Sequence, residues 1–473
     1  MTTLDSTRTA DETDAAAFRA GPVDEESRSR LAANGLDYRR VPIGGDDFPG
    51  WLQSVARGFQ DGERTETQIA AARERSGYRR LTGVYDAAGP MADAPVATIA
   101  SWLGELTVPG GAAIPSCAIS GVTVAPTHRR RGVARAMLEG ELRAAHAAGA
   151  PIAMLTVSES QLYGRYGFAS AAAGASWQIE TKRATWIGPR PDGRLDFVSR
   201  ERVRELLPVL HERVRHRLPG EITVPGGHWD GFAGTNPAAE KTTEKRAVQY
   251  TDAGGEVRGA AVYAVRERHD DFTKGTVTVH YLVAETDDAY AALWRFLLEL
   301  DLVAEVHASE LSVDEPLLWM IADQRAAKVT VRDHQYVRVL DVVAALESRR
   351  YGAPGRLLLD VSDPLDLAGG RYLLEADDAG AGRVRPLGDE ETPDAVTVVL
   401  GITELSAAYL GGVSLATLVA AGRVTVTDDL DTPRSSALDP AASTGASADG
   451  YRAVATATRV LSWHVAPRLS IWY

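Results

Sequence analysis

The stretch Gly121-Val122-Thr123-Val124-Ala125-Pro126-Thr127-His128-Arg129-Arg130-Arg131-Gly132-Val133-Ala134-Arg135-Ala136-Met137 constrains this chain more than any other. An apolar strand stops at Pro126, and an amphipathic helix opens inside the arginine run. A helix start exposes unpaired backbone N–H groups and the positive end of its dipole, which makes it a ready seat for a pyrophosphate. Gly132 and Ala134 let phosphate oxygens approach the backbone, and the arginines add charge-assisted bonds. Alone, Arg129-x-x-Gly132-x-Ala134 is weak, since a chain with this much Arg, Gly and Ala gives about one chance match. The flanking strand and helix, and a second motif downstream, raise it above a solvated basic helix start.

That second motif is Ser158-Glu159-Ser160-Gln161-Leu162-Tyr163-Gly164-Arg165-Tyr166-Gly167-Phe168, directly after the apolar run 152–157. It reads as a short helix, a tyrosine and a Gly-Phe turn that lead into another strand. A tyrosine is more often a packing residue with its hydroxyl bonded to backbone. The order and spacing of the two motifs favour a functional Tyr163.

Around them lies a mixed α/β layout. Strands are expected at 36–41, 80–85, 95–103, 116–124 and 152–157, with helices from Asp47 to Phe59, over 66–75 and over 130–148. Residues 1–35 are acidic and rich in Ala, Ser and Thr, and are read as a disordered tail. Past Pro189-Arg190-Pro191-Asp192-Gly193 the pattern suggests a second α/β unit of similar topology. It has helices at 201–218 and 287–302 and strands at 257–266 and 276–283. A third, α+β region starts near Tyr351. Its strands are 356–361, 370–375 and 395–400, its helices 403–410, 414–421 and 451–461, and residues 431–450 form a low-complexity loop.

At 473 residues there is room for about three domains. The 51 basic and 64 acidic side chains leave a formal net charge of −13, which repels nucleic acid and anionic membrane and favours cationic substrates. The single Cys117 excludes an internal disulfide and a cysteine-based zinc site, and reads as a small buried hydrophobe. The acidic amino terminus is unlike a signal peptide, and Pro109, Gly110, Gly111 and Pro115 break the uncharged run 106–128. No membrane association is expected, and a cytoplasmic location is. His211 and His216 bracket a sequence with the look of H-E-x-x-H, but five residues turn a helix by roughly 500°. They are read as a solvated helix face, and no metal is expected.

VAPTHRRRGVARAM, SESQLYGRYGF and the aromatic carboxy terminus together resemble the enhanced intracellular survival (Eis) family of aminoglycoside N-acetyltransferases, in the GNAT superfamily. The resemblance implies α/β and α+β architecture in three domains. They are a GNAT domain (36–185), a central GNAT-like domain without the cofactor motif (186–345) and a sterol-carrier-protein-like domain (346–473). It implies acetyl-coenzyme A as co-substrate and a homohexamer. Val122, Thr123 and Val124 would pair through their backbone with the pantetheine arm, and Ser158 and Glu159 would border it. Arg130, Arg131, Gly132, Val133, Ala134 and Arg135 would hold the pyrophosphate. Tyr163 would be the general acid, the terminal carboxylate of Tyr473 the general base, and Asp61 an acid in the amine pocket. At the penultimate position, where the family can carry an acid, this chain has Trp472, which leaves the substrate range open.

The expected reaction is acetylation of primary amines on polycationic small molecules such as aminoglycosides. A base must first deprotonate the ammonium, and an acid must reprotonate the departing thiolate. A protein-lysine or peptide acetyltransferase shares that chemistry. A non-catalytic sensor of acetyl-coenzyme A or lipid would need neither acid nor base.

Overall fold

The computed structural model describes residues 4–239, 241–427 and 448–473. The chain forms two compact units. One comprises Met1–Ala172, Gln335–Val465 and Tyr473, the other Ala173–His334 and Ala466–Trp472.

The first unit opens with α1 (Leu4–Ala20), α2 (Glu25–Ala32), β1 (Asp37–Arg40), α3 (Asp47–Gly58), α4 (Glu66–Arg75) and β2 (Arg80–Tyr85). Then come β3 (Ala97–Thr107), β4 (Ala113–Val124), α5 (Val133–Ala147) and β5 (Ile152–Thr156). Strands β1 to β4 form an antiparallel meander, and β4 then pairs in parallel with β5. Parallel neighbours need a crossover, which α5 supplies. It buries Val133, Ala136, Met137, Leu142 and Ala145.

Over the described residues, the tail expected at 1–35 is instead two helices docked on this layer. Phe18 and Leu31 are buried in one core with Ile99, Met137 and Phe168. The buried guanidinium of Arg80 donates to the carbonyl oxygens of Phe18, Gly21 and Pro22 at 3.2, 2.6 and 2.7 Å, and to Glu141 at 3.1 Å. Asp24 caps α2 by accepting from the Ser27 N–H, and pairs with Arg143 on α5 at 2.6 Å. Polarity that argued for disorder is here spent on long-range bonds.

After the short α6 (Ser160–Tyr163) come the elements of the second unit, which claims β6 (Ala169–Glu180) from Ala173 onward. They are β7 (Arg194–Val198), α7 (Arg200–Arg215), α8 (Gly226–Ala233), β8 (Lys245–Thr251), β9 (Val257–Arg266), β10 (Gly275–Ala284), α9 (Asp287–Leu298) and β11 (Val303–Leu311). The strand order is β6-β11-β10-β9-β8-β7, with β10 and β11 parallel. The parallel pair and its crossover helix repeat β4–α5–β5. Trp177, Tyr263, Trp294 and Leu297 centre the core.

The chain re-enters the first unit within β12 (Ala327–Val339), whose last five residues pair antiparallel with β5. Next come α10 (Val342–Ser348), β13 (Gly355–Ser362), β14 (Gly370–Ala376), β15 (Gly382–Leu387), β16 (Val396–Gly401), α11 (Ile402–Ala408), α12 (Leu415–Ala420), β17 (Val424–Thr427) and α13 (Ala448–Leu461). Their sheet has the order β15-β14-β13-β16-β17. Of the loop expected at 431–450, residues 431–447 lie outside the described residues and 448–450 open α13. Arg338, fully buried, pairs with Asp363 at 2.7 Å and donates to the Tyr166 carbonyl oxygen at 3.2 Å, tying this region to the turn after Tyr163. Among the described residues no helix is long and apolar enough to cross a membrane.

Candidate active site

Strands β4 and β5 pair over Ser116–Ile119 and Ile152–Leu155 and no further, while β4 runs on to Val124 against β3. The β3–β4 register slips at Gly121, which has a φ of +59°, so that two residues of β4 face one of β3. Such a bulge bends the strand, and a side chain at that φ would be strained. Beyond it Val122 and Val124 are half-buried, and the buried Thr123 bonds its hydroxyl to that of Thr98 at 2.7 Å. The main chain of Val122–Val124 has no β5 partner on that side. Its N–H and C=O groups suit an extended, amide-bearing arm.

The turn into α5 is held from outside. His128 Nε2 meets Asp86 Oδ2 at 3.0 Å, and its Nδ1 meets the Thr127 hydroxyl at 2.9 Å. Arg130 and Gly132 then take φ values of +63° and +75° on either side of Arg131. No side chain caps α5 and no acid lies in its first turn. Most helices cap themselves with Ser, Thr, Asp or Asn. Among the described residues, no side chain takes up the first N–H groups of α5. Arg130, Arg131, Gly132 and Arg135 are exposed, Ala134 is half-buried, and Val133 is buried in the core. Helix α9 in the second unit starts differently. Thr286 accepts from the Ala289 N–H at 3.2 Å, and Asp287 and Asp288 fill the first turn. That start is already capped and repels a phosphate, so the residues fit a pyrophosphate at α5 and not at α9.

Beyond β5, Ser158 and Glu159 are exposed and Tyr163 is buried, edge-on to Phe168. Burial, with the nearby charges of Glu159 and Tyr166 adding to it, pushes the Tyr163 hydroxyl up to about 12. The phenol is therefore protonated at neutral pH. No hydrogen bond joins that hydroxyl to a described residue, unlike the backbone-bonded packing tyrosine weighed from sequence.

Tyr473 lies at the carboxyl end of β5. The Thr156 hydroxyl donates to its main-chain oxygen at 2.7 Å. Its ring is buried, edge-on to Trp102 at 5.2 Å, and its phenol oxygen has no hydrogen-bond partner among the described residues. Burial raises that phenol well above its ordinary value. Asp61 stands apart, exposed and paired with Arg64 at 2.6 Å. Its loop nevertheless begins at Gly58, where an added Cβ would lie 2.5 Å from Thr123.

His211 corrects the sequence reading. It is not on a solvated face but buried, bonded to the Tyr281 hydroxyl at 2.8 Å and the Ile222 carbonyl oxygen at 2.9 Å. His216 is on the surface beside Glu212. Thr156, Asp86 and His128 were not singled out from sequence. A threonine closing an apolar strand carries no signal, and Asp86 meets His128 only across the fold.

Comparison with known proteins bears on this geometry. Residues 38–171 and 221–339 match acetyltransferase (GNAT) domain families, and residues 342–445 a sterol carrier protein domain. A Streptomyces avermitilis protein named as an uncharacterized N-acetyltransferase is 37% identical over 401 residues, covering 82% of this chain and 92% of its own. The N-acetyltransferase Eis of Mycobacterium tuberculosis is 32% identical over 400 residues, covering 81% and 92%. This chain belongs to the Eis family of GNAT N-acetyltransferases. The crystal structure of Eis1 from Mycobacterium abscessus matches with a TM-score of 0.74 at 25% identity, covering 93% of this chain and all of that one. The Eis architecture accounts for the two β–α–β crossovers and the separate five-stranded sheet. GNAT domains imply acetyl-coenzyme A as the acyl donor, which agrees with the uncapped α5 and the stretch of β4 that runs on beyond its pairing with β5.

Proposed function

We propose that this Eis-family enzyme acetylates primary amines of polycationic small molecules, aminoglycosides among them, at more than one position. The observation that carries the reading is the Tyr473 main-chain oxygen held by the Thr156 hydroxyl at the end of β5, with a buried, protonated Tyr163 on the segment that follows that strand. Acetyl-coenzyme A supplies an acetyl group activated as a thioester. The backbone of Val122, Thr123 and Val124 holds its pantetheine arm, Ser158 and Glu159 border it, and residues 130–135 hold its pyrophosphate.

The α-carboxylate of Tyr473, oriented by Thr156, takes the proton from the substrate ammonium, since only the neutral amine attacks. Tyr163 delivers a proton to the departing sulfur. Asp61 and the net charge of −13 draw in the cation. By family resemblance the assembly is a homohexamer.

The test is coenzyme A release against a panel of aminoglycosides, polyamines and lysine peptides, with product masses counting the acetyl groups added. Multiple acetylation of aminoglycosides is the expected result. Turnover of peptides alone favours a protein acetyltransferase. Cofactor binding with no turnover of any amine favours a sensor.

A further inference from the structure

Beside the start of α5 lies a cavity of about 320 Å³ lined by Arg30, Leu31, Asn34, Arg131, Gly132 and Arg135. Arg30 and Leu31 belong to α2 and Asn34 follows it, so part of the lining comes from residues before position 38, where the GNAT family match begins. Two of the arginines are set by one acid. Glu139, buried on α5 one turn after Arg135, accepts from Arg135 Nε at 2.6 Å through Oε1 and from Arg30 Nη1 at 2.7 Å through Oε2. Burial opposes its charge, but the two guanidinium bonds outweigh that and hold its carboxyl below the ordinary range. Arg131 reaches the Asn34 carbonyl oxygen at 3.4 Å. Arg135 commits only its Nε to Glu139, and its side chain remains 68% exposed.

We infer that Arg30, Arg131 and Arg135 form a socket for a phosphomonoester, and that it takes the 3′-phosphate of coenzyme A. This rests on the reading of the α5 start as the pyrophosphate seat. The charge count selects the group. Three guanidiniums against the single buried carboxylate of Glu139 leave two positive charges, and Glu26, also paired with Arg30, lies at the surface. Each phosphate of the pyrophosphate bridge carries about one negative charge, whereas a phosphomonoester carries about 1.5 to 2 at neutral pH. The 3′-phosphate is the phosphomonoester of coenzyme A. A planar guanidinium fork also matches its oxygens two at a time. The amino-terminal helices thus contribute to cofactor selection as well as to the core.

Titration calorimetry with coenzyme A and with dephospho-coenzyme A tests the inference on the full chain. The unaltered protein is expected to bind coenzyme A at least tenfold more tightly. Arg30→Gln should shrink that preference to within about threefold by weakening coenzyme A, with dephospho-coenzyme A unchanged. Arg135→Gln, at an exposed position, should weaken both ligands, because Arg135 also belongs to the pyrophosphate seat, but coenzyme A by the larger factor, and it covers the case in which Arg30→Gln fails to fold. An unaltered protein with no preference, or variants that lose both ligands equally, overturns the socket. If the unaltered protein binds neither nucleotide, the pyrophosphate seat falls with it, which separates the two failures.

Discussion

The Thr156 hydroxyl donates to the main-chain oxygen of Tyr473 at 2.7 Å, joining positions 317 residues apart at the point where β5 ends. A hydrogen bond to a charged group contributes about 1.5–3 kcal/mol. Thr156→Val keeps the branched shape and removes the donor. It should lower kcat about tenfold or more, with cofactor affinity intact. Adding a few residues after Tyr473 should cost more, because it converts the carboxylate to an amide. A tagged protein with full kcat across roughly pH 6 to 9 would dismiss Tyr473 as the base.

Tyr163→Phe removes a proton donor and keeps the ring. The loss in kcat should be about 100-fold with KM little changed. With the Tyr163 hydroxyl pushed up to about 12, its acid form persists across the working range. The alkaline limb of the kcat profile should therefore not fall until well above pH 9. A kcat within about twofold of the unaltered enzyme assigns Tyr163 to packing.

Gly132→Val tests the cofactor turn. No atom lies within 4 Å of an added Cβ, so the cost comes from the φ of +75° and from crowding of the incoming phosphate. Coenzyme A binding should weaken by about 2 kcal/mol in calorimetry. Unchanged affinity in a folded variant removes the turn from the site.

Deleting residues 1–35 separates the two readings of the amino terminus. A disordered tail would leave the melting temperature unchanged. The docked helices predict loss of the burial of Phe18 and Leu31, each worth about 1.5–3 kcal/mol, besides stranding Arg80 without its three carbonyl partners. Thermal unfolding should fall by several degrees.

Glu139 gives a pH signature. Its carboxyl is held below its ordinary value of 4.5 when folded, so it binds its proton more weakly than in the unfolded chain. The stability it adds is complete above that ordinary value and is lost as pH falls through the lower folded value. Glu139→Gln should flatten the acid limb of a stability–pH curve measured by urea unfolding. An identical acid limb in both proteins would show that the Arg30–Glu139–Arg135 link contributes nothing to stability.

The sequence was most legible where signals are local. The 3.6-residue period of α5 and the apolar run of β5 lie close to where they were expected, and the two motifs follow β4 and β5 directly. What escaped notice depends on distant partners. Helices α1 and α2 are too polar to announce a buried face, because Arg80 and Arg143 satisfy them and the turn between them from 58 residues or more away. The strand expected after the Gly-Phe turn is β6, whose extent is hidden by its run of Ala, Gly and Ser, which lack the branched side chains that mark a strand, although Trp177 and Ile179 within it are buried. In β12, charged residues disguise a strand whose Arg338 is buried against Asp363. Asp61 was placed by family likeness, and its surface pairing with Arg64 was beyond sequence.

The docking of α1 and α2 also has a temporal consequence. Asp24 bonds to Arg143, and the Ser27 hydroxyl to the Ala136 carbonyl oxygen, spanning 119 and 109 residues. A ribosome adding about 5–20 residues per second exposes these helices many seconds before their partners emerge. Until α5 has left the exit tunnel they persist as local, half-formed coils in the nascent chain, whose closure waits on loop formation across more than a hundred residues. Helices α1 and α2 thus wait for later parts of their layer, and Arg30 comes to rest beside Glu139 only once α5 has emerged.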